Sequence, residues 1–381
     1  MKVNQIYSLL NAVASETFGE SGLTAHDLTG LISMGDYVLN SASANSRDKF
    51  FNVLVDRIGR TIVRRLDLDV TYPSIMMDSF EFGAILQKIT VAPIEATESE
   101  PWKIGNTNYT PNQFAISKAT VKQGLFGGIN TWSVKVTIPD NILKSAFKSL
   151  DEMGAFIDAI ISAMVDSMTI NINNTNKLCV NNFIAEKIHA DKNVIHTLTE
   201  YNALTGETAT ALSARSNPNF YKYLGKRMSD LIRYMRQPNA LFNETGDVRA
   251  TSRDNMHILL LGEVASAYST YLSADTFHND LVSLPLYDEV AFWQSMNTTA
   301  DEMPDFVSAS TINITTSSGN AVNKANIIGA FIDRQALGTT AYNVRTTTDR
   351  NNDGEYTNYS NKCDIGHFND LSENGVVFVL D

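Results

Sequence analysis

Residues 149–168 read SLDEMGAFIDAIISAMVDSM, and what this stretch faces decides the fold. Met153, Phe156, Ile157, Ile160, Ile161, Met164, Val165 and Met168 recur every three or four residues, which puts them on one broad face of an α-helix. Ser149 and Glu152 have the S-x-x-E spacing of a capping box, and Asp151 suits the positive end of the helix dipole. A membrane, a coiled-coil partner or the protein's own core could each receive such a face. The other side of the helix is too charged for a bilayer span. The spacing also lacks the strict heptads and flanking charge pattern of a coiled coil. A helix laid along a sheet remains. Ile172, Cys179 and Phe183 continue the face through an Asn-rich stretch. One unbroken helix would then hold about forty residues and span roughly 60 Å at 1.5 Å per residue.

The whole chain fits a globular protein. Its 381 residues suit two or three domains, and 43% hydrophobic content can fill a real core. A net charge of −12 argues against a protein whose main task is gripping nucleic-acid phosphates. It does not argue against one that merely encloses nucleic acid. Two cysteines, Cys179 and Cys363, supply neither a disulfide framework nor zinc spacing, and read as small packing residues in a reducing compartment. The opening MKVNQIYSLLNAVASETFGESG is not a secretory signal, and no apolar run reaches the length of a membrane span. Sequons such as Asn108-Tyr-Thr then read as products of an Asn- and Thr-rich composition. The expectation is a soluble, intracellularly made protein.

Along the chain, residues 1–45 mix short helical pieces with Gly and Ser breaks and read as an extended or loosely helical arm. Ser46 then caps RDKFFNVLVDRIGRTIVRRL, where Phe50, Leu54, Ile58 and Ile62 keep helical spacing. Arg57, Arg60, Arg64 and Arg65 lie partly on the opposite face. Two readings stand for them: a solvated face or subunit salt bridges, and nucleic-acid contact. From Thr71 the texture turns β-branched and aromatic, with alternation in FAISKATVKQ and WSVKVTI. A two-stranded excursion is marginal alone in water, so a segment carrying Trp102, Phe114 and Phe126 needs a surface to lie on, in the same chain or a neighbouring copy. Residues 191–340 read as an α/β or α+β domain: PNFYKYLGKRMSDLIRYM is helical, His257–Leu261 is a buried strand turning at Gly262 into a helix, and LVSLPLYDEVAFWQSM and NIIGAFIDRQALG supply more strands. The closing GVVFVLD reads as a buried strand.

Candidate chemistry is sparse. DRNNDGE places Asp349, Asn351, Asp353 and Gly354 like the start of a calcium loop, but Ser360 stands where the bidentate Glu belongs, and Asn, Asp and Gly also build ordinary turns. HILLLGEV has the strand–Gly–helix order of a phosphate site without its glycine pattern, so a plain βα turn is the better reading. No G-x-S-x-G, H-E-x-x-H or C-x-x-C occurs. His189 and His196, seven apart, could share a helix face, though lone surface histidines are commoner. Pairs such as Glu98/Glu100 and Asp288/Glu289 lie in loop-like contexts without the setting of a glycosidase. The expectation is a non-enzyme without cofactors.

The blocks taken in order resemble the major capsid proteins of tailed double-stranded DNA bacteriophages, most closely those of small podovirus-like phages. ISMGDYVLNSASANSRDKFFNVLVDRIGRTIVRRL is similar to their N-terminal arm and first helix, and PSIMMDSFEFGAILQKITV to their entry into an extended loop. DNMHILLLGEVASAYSTYLSADTFHNDLVSLPLYDEVAFWQ resembles a recurring strand, helix and Tyr/Trp block, and NIIGAFIDRQALG with SENGVVFVL their closing strands. The likeness covers nearly the whole chain, and the order of the blocks carries it.

That resemblance implies an α+β, Hong Kong 97-type capsid fold. Residues 1–45 would be the N-terminal arm, 46–70 the first helix of a peripheral domain and 71–135 the extended β-loop over a neighbouring subunit. Residues 136–190 would be the peripheral domain with its spine helix, 191–340 the axial domain, and 341–381 the closing strands. Trp102, Phe114, Phe126, Arg57, Arg60 and Arg64 become candidates for contacts between subunits. The implied partners are other copies, as hexamers and pentamers, with a portal and possibly a separate scaffolding protein. The shell would enclose double-stranded DNA without sequence-specific binding, in a virion assembled in the host bacterial cytoplasm, with no membrane contact. A long charged scaffold segment at the N-terminus, present in some relatives, is missing here, and no maturation-protease or crosslinking residue maps onto this chain. Three rivals make different predictions: an encapsulin-like cellular compartment of the same fold, a cytosolic acidic hydrolase built on residues 191–340, and a tail protein that polymerises into tubes.

Overall fold

The helix expected from residues 149–168 runs without a break over Leu150–Ala190. The computed structural model describes residues 3–19, 24–38, 71–77, 85–94, 118–127, 129–139, 150–273, 287–294, 305–351 and 353–381, with single positions at 46, 49, 50, 53, 114 and 116. In chain order its first elements are α1 (Val3–Phe18), α2 (Leu28–Asp36), β1 (Ile85–Val91), β2 (Val121–Gly127), β3 (Ile129–Pro139) and the long helix, α3. Then come β4 (Val194–His196), α4 (Thr197–Thr205), α5 (Ala211–Ala214), α6 (Pro218–Met235), β5 (Met256–Leu261), α7 (Gly262–Ser273) and β6 (Asp288–Val290). The chain closes with α8 (Phe306–Ala309), β7 (Ile312–Thr315), β8 (Ala321–Lys324), β9 (Ile327–Asp333), β10 (Leu337–Asn351), β11 (Tyr356–Asn369) and β12 (Gly375–Val379). The chain forms two compact units, each built from three separate segments.

The first unit takes in Met1–Phe82, Ile129–Lys177 and Thr339–His367. Its sheet has the order β10-β11-β3, and β11 pairs with β3 antiparallel from Tyr356↔Pro139 to Gly366↔Ile129. The described part of the apolar stripe of α3, from Ile160 to Ile172, packs with residues of this sheet. Ile160 and Met164 share a buried cluster with Ile138 and Tyr359, and Met168 and Ile172 share another with Cys363 and Ile365. The Asn-rich stretch continues the helix because its amides find partners. Asn176 is fully buried, accepts from the Thr339 hydroxyl at 2.6 Å and donates to the Thr71 carbonyl at 2.8 Å.

Residues 3–38 differ from the loosely helical arm expected of them. Leu10, Val13, Leu31 and Met34 of α1 and α2 are fully buried in the cluster that also holds Phe50. Local capping explains how helices survive the Gly and Ser breaks. Asp27 accepts from the Gly30 amide at 2.7 Å, and Asn11 clasps both the amide and the carbonyl of Ala25. Most of the expected helix at 46–70 lies outside the described residues.

The second unit takes in Gly83–Gly128, Leu178–Gly338 and Phe368–Asp381. Its main sheet has the order β4-β12-β9-β5-β6, parallel at both edges and antiparallel at the centre. Every residue of β5, β9 and β12 is buried, which is why MHILLL, IIGAFID and GVVFV are continuous apolar runs rather than alternating ones. Two glycines permit this packing: a Cβ on Gly329 would sit 2.9 Å from the Leu259 carbonyl, and one on Gly375 2.5 Å from the Phe183 ring. The end of α3 joins through polar contacts, with Asn181 donating to the Trp293 carbonyl at 2.8 Å and Asn182 accepting from the Ser317 amide at 2.7 Å. The helices fall where the sequence places them. Asn217 caps α6 with Pro218 in its first turn, and α7 begins at Gly262 directly after β5.

Candidate functional site

The segment expected to be an extended loop contains a hairpin. β1 and β2 pair antiparallel from Ile85↔Gly127 to Val91↔Val121, and belong to the second unit. The following strand, β3, instead pairs with β11 in the first unit. Residues opposite each other in an antiparallel ladder project to the same face, so the register divides the hairpin's side chains into two sets. Lys88, Thr90, Lys122 and Phe126 fall in one set; Ile89, Val91, Val121 and Leu125 fall in the other.

The polar set faces the protein. Lys88 Nζ lies 2.7 Å from Asp370 Oδ2 and 2.5 Å from Glu373 Oε1, and donates to the Gln335 carbonyl at 3.1 Å. The Asp370 and Glu373 side chains are only 8% and 5% exposed. Arg249 Nη1 reaches Glu373 at 2.9 Å, and its Nη2 lies 3.4 Å from the Thr90 hydroxyl. Lys122 pairs with Asp247 at 2.5 Å, and the Phe126 ring packs 5.6 Å from that of Phe368. Burial pushes the Asp370 carboxyl up, but the Lys88 ammonium and the Ser372 contacts outweigh it, leaving the group below its ordinary value. Nearby, the fully buried Lys187 ammonium is pushed down by burial and partly restored by Glu244, 3.5 Å away.

The apolar set faces out. Ile89 is 61% exposed, Val91 56%, Val121 58% and Leu125 63%. Fully burying one such side chain is worth about 1.5–3 kcal/mol. Leu86 and Phe126, on the inward face, offset part of that preference, and the ion pairs add to them in fixing the orientation.

The expected site residues distribute unevenly. Phe126 is half-buried in the hairpin, and Phe114, between the strands in sequence, is 85% exposed. Trp102, Arg57, Arg60 and Arg64 lie outside the described residues. Asp349, Asn351 and Asp353 fall at the β10–β11 turn. There Asn351 accepts from the Gly354 amide at 2.9 Å and donates to the Tyr356 hydroxyl at 2.9 Å, so its side chain serves the turn. Among the described residues no group of three or more His, Cys, Asp or Glu could hold a metal ion. His189 ends α3, whereas His196 lies in β4 and contacts Asp381 Oδ1 at 2.6 Å, so the two share no helix. No helix among the described residues is long and apolar enough to cross a membrane. Sequence reading missed Lys88, Asp370, Glu373 and Arg249. Their one local signal was a lysine inside an otherwise apolar strand, ILQKITV.

The sequence matches the Phi29-like phage major capsid protein family over residues 11–379. The chain belongs to that family. The major capsid protein of Streptococcus phage Cp-1 is 21% identical over 245 residues, 62% of this chain and 62% of that protein, so the chain spans under two thirds of this relative's length. Among solved structures, the capsid of Staphylococcus phage Andhra aligns with a TM-score of 0.51 at 11% identity, covering 82% of this chain and 86% of the other. A chain from the structure of the head fibre and inner core protein of native bacteriophage P68 aligns with a TM-score of 0.53 at 8% identity, with the same coverage. At such identities the likeness shows the fold, a Hong Kong 97-type capsid fold of mixed helix and sheet. The family is one of phage major capsid proteins, structural proteins rather than enzymes.

Proposed function

We propose that the subunit assembles as hexamers and pentamers, with residues 71–135 as the extended loop lying over a neighbouring copy. The observation that carries this reading is the outward apolar face formed by Ile89, Val91, Val121 and Leu125. A contiguous apolar patch on a protein surface marks a place where something else binds, and in a shell of identical subunits that partner is another copy. Phe114 contributes to the same contact, as do Trp102 and the Arg57, Arg60 and Arg64 cluster, and Phe126 supports it from the inward face, beside Phe368. Residues 1–45 act as the arm, 46–70 and 136–190 as the peripheral domain, 191–340 as the axial domain around the fivefold and sixfold axes, and 341–381 as the closing strands.

The shell encloses double-stranded DNA without reading its sequence. A net charge of −12 suits a wall that encloses DNA without gripping it. Further partners are a portal and a separate scaffolding protein, and assembly takes place in the host cytoplasm.

The test is electron microscopy of particles made by wild type and by the double variant Ile89→Asp, Leu125→Asp. Both substitutions lie on exposed positions, so the variant folds. Closed shells should fall at least tenfold in yield, with soluble subunits accumulating. Wild-type yields from the variant would sink the hairpin contact.

A further inference from the structure

The hairpin carries its lysines inward and four large aliphatic side chains outward, against the ordinary rule for a half-buried ribbon, while Leu86 and Phe126 keep to that rule on the inward face. Alternation normally turns the apolar set inward and leaves the polar set to water. Here Lys88, Thr90 and Lys122 point inward while Ile89, Val91, Val121 and Leu125 remain more than half exposed. Something specific must oppose the hydrophobic preference, and the receiving surface contains it. Asp370 and Glu373 are held in a turn by their own backbone: the Asp370 amide donates to the Ala336 carbonyl at 2.6 Å, and the Glu373 amide to the Asp370 carbonyl at 3.3 Å. Of the two carboxylates, Arg249 pairs with Glu373, whereas Asp370 accepts from the Ser372 amide at 2.9 Å and takes its ion pair from the hairpin's own ammonium. A carboxylate left buried without its cation is strongly unfavourable. Opposite Lys88 in the register stands Gly124, and the Phe126 ring covers that position, leaving a Cβ there only 3.0 Å from the ring.

We propose that Lys88, seated between Asp370 and Glu373, is the positioning residue that holds the hairpin with its apolar face outward for a second copy of this chain. The use of that face by a second copy rests on the reading given under Proposed function; the positioning by Lys88 does not. Lys122 is a weaker second tether, because its side chain is 52% exposed. Lys88 is only 18% exposed, and its two acceptors are nearly dry.

The experiment uses the full-length unassembled subunit carrying Thr90→Cys, a position on the inward face. Thiol labelling then reports whether that face is covered. The two native thiols give little background, since both are buried, with burial pushing Cys179 up to about 12 and Cys363 up to about 11. Adding Lys88→Met keeps the aliphatic stem and removes the charge. Labelling at position 90 should accelerate at least tenfold, and Lys88→Arg should restore the slow rate, which loss of packing alone would not explain. Labelling within twofold of the parent would overturn the proposal, as would a Lys88→Arg variant as fast as Lys88→Met. If Lys88→Met fails to fold, Glu373→Gln approaches the same pair from the other side; acceleration of at least threefold supports the proposal and none overturns it. Shell yield is read separately. Fast labelling with wild-type shell yield in Lys88→Met would leave the positioning role intact and sink the hairpin contact instead.

Discussion

The five-stranded sheet and the β1–β2 hairpin belong to the same unit and are held by opposite means. In the sheet, β5, β9 and β12 bury every side chain, and Phe331 packs edge-on to Phe378 with ring centroids 4.9 Å apart. In the hairpin, Ile89, Val91, Val121 and Leu125 are exposed, and the attachment combines ion pairs with the Phe126–Phe368 contact. Hydrophobic burial is non-directional and scales with area, so it gives the sheet stability that depends little on any one partner. Ion pairs between fixed groups are worth less but are specific in position.

The comparison breaks most visibly at the sheet. Phe331→Ala removes a fully buried ring from the central strand and should cost about 3–5 kcal/mol of unfolding free energy. Denaturant titration of the unassembled subunit would show it as a lower midpoint with an unchanged slope. A loss below about 1 kcal/mol would mean that the sheet tolerates a cavity that its packing says it cannot.

Acid should reach the sheet before the hairpin. His257 on β5 is only 4% exposed, and burial, with Arg334 adding to it, pushes its pKa down to about 4. A histidine kept neutral in the fold and free to charge when unfolded stabilises fully above its unfolded value near 6.5. That contribution, on the order of 2–3 kcal/mol, is lost as pH falls from about 6.5 toward 4. Asp370, which receives the hairpin's Lys88, is also held below its ordinary value, but for a carboxyl that means it stays charged through that window, so the pairing fails only at lower pH. Unfolding curves between pH 7 and pH 4 should therefore weaken in wild type and flatten in His257→Leu. Equal slopes in the two proteins would remove His257 as the cause.

Much of this arrangement is legible in the sequence, and the reason is burial. A strand covered on both faces must be apolar throughout, so HILLL, IIGAFI and VVFV announce themselves. The stripe of α3 is equally plain, because one helix face meets one sheet. The arm was harder. The break at residues 19–27 resembles a loose segment, and only the Asn11–Ala25 clasp and the Asp27 cap make two packed helices of it. The hairpin's orientation could not be read at all. Alternation says that ILQKITV has two unlike faces, but the inward one is chosen by Asp370 and Glu373, more than two hundred residues away. The calcium-like spacing at Asp349 illustrates the converse, since a turn and a metal loop draw on the same residues and Asn351 is engaged within the turn.

The smallest effect sharpens the contrast within the hairpin itself. Lys122 and Asp247 make a short pair, yet the lysine side chain is half exposed, and water and salt screen such a pair. The Asp247 carboxyl is held below its ordinary value by Lys122 first and Thr245 second. Lys122→Met should therefore cost under about 1 kcal/mol of hairpin attachment, and that small loss should vanish in about 1 M salt, where the screening length is roughly 3 Å. Lys88→Met should cost more, and the difference should survive the same salt because its partners are buried. Labelling at Thr90→Cys in low and high salt reads both variants. If salt abolished the Lys88 effect as readily as the Lys122 one, the two tethers would be equivalent, and the buried pair of carboxylates would have no special role in turning the apolar face outward.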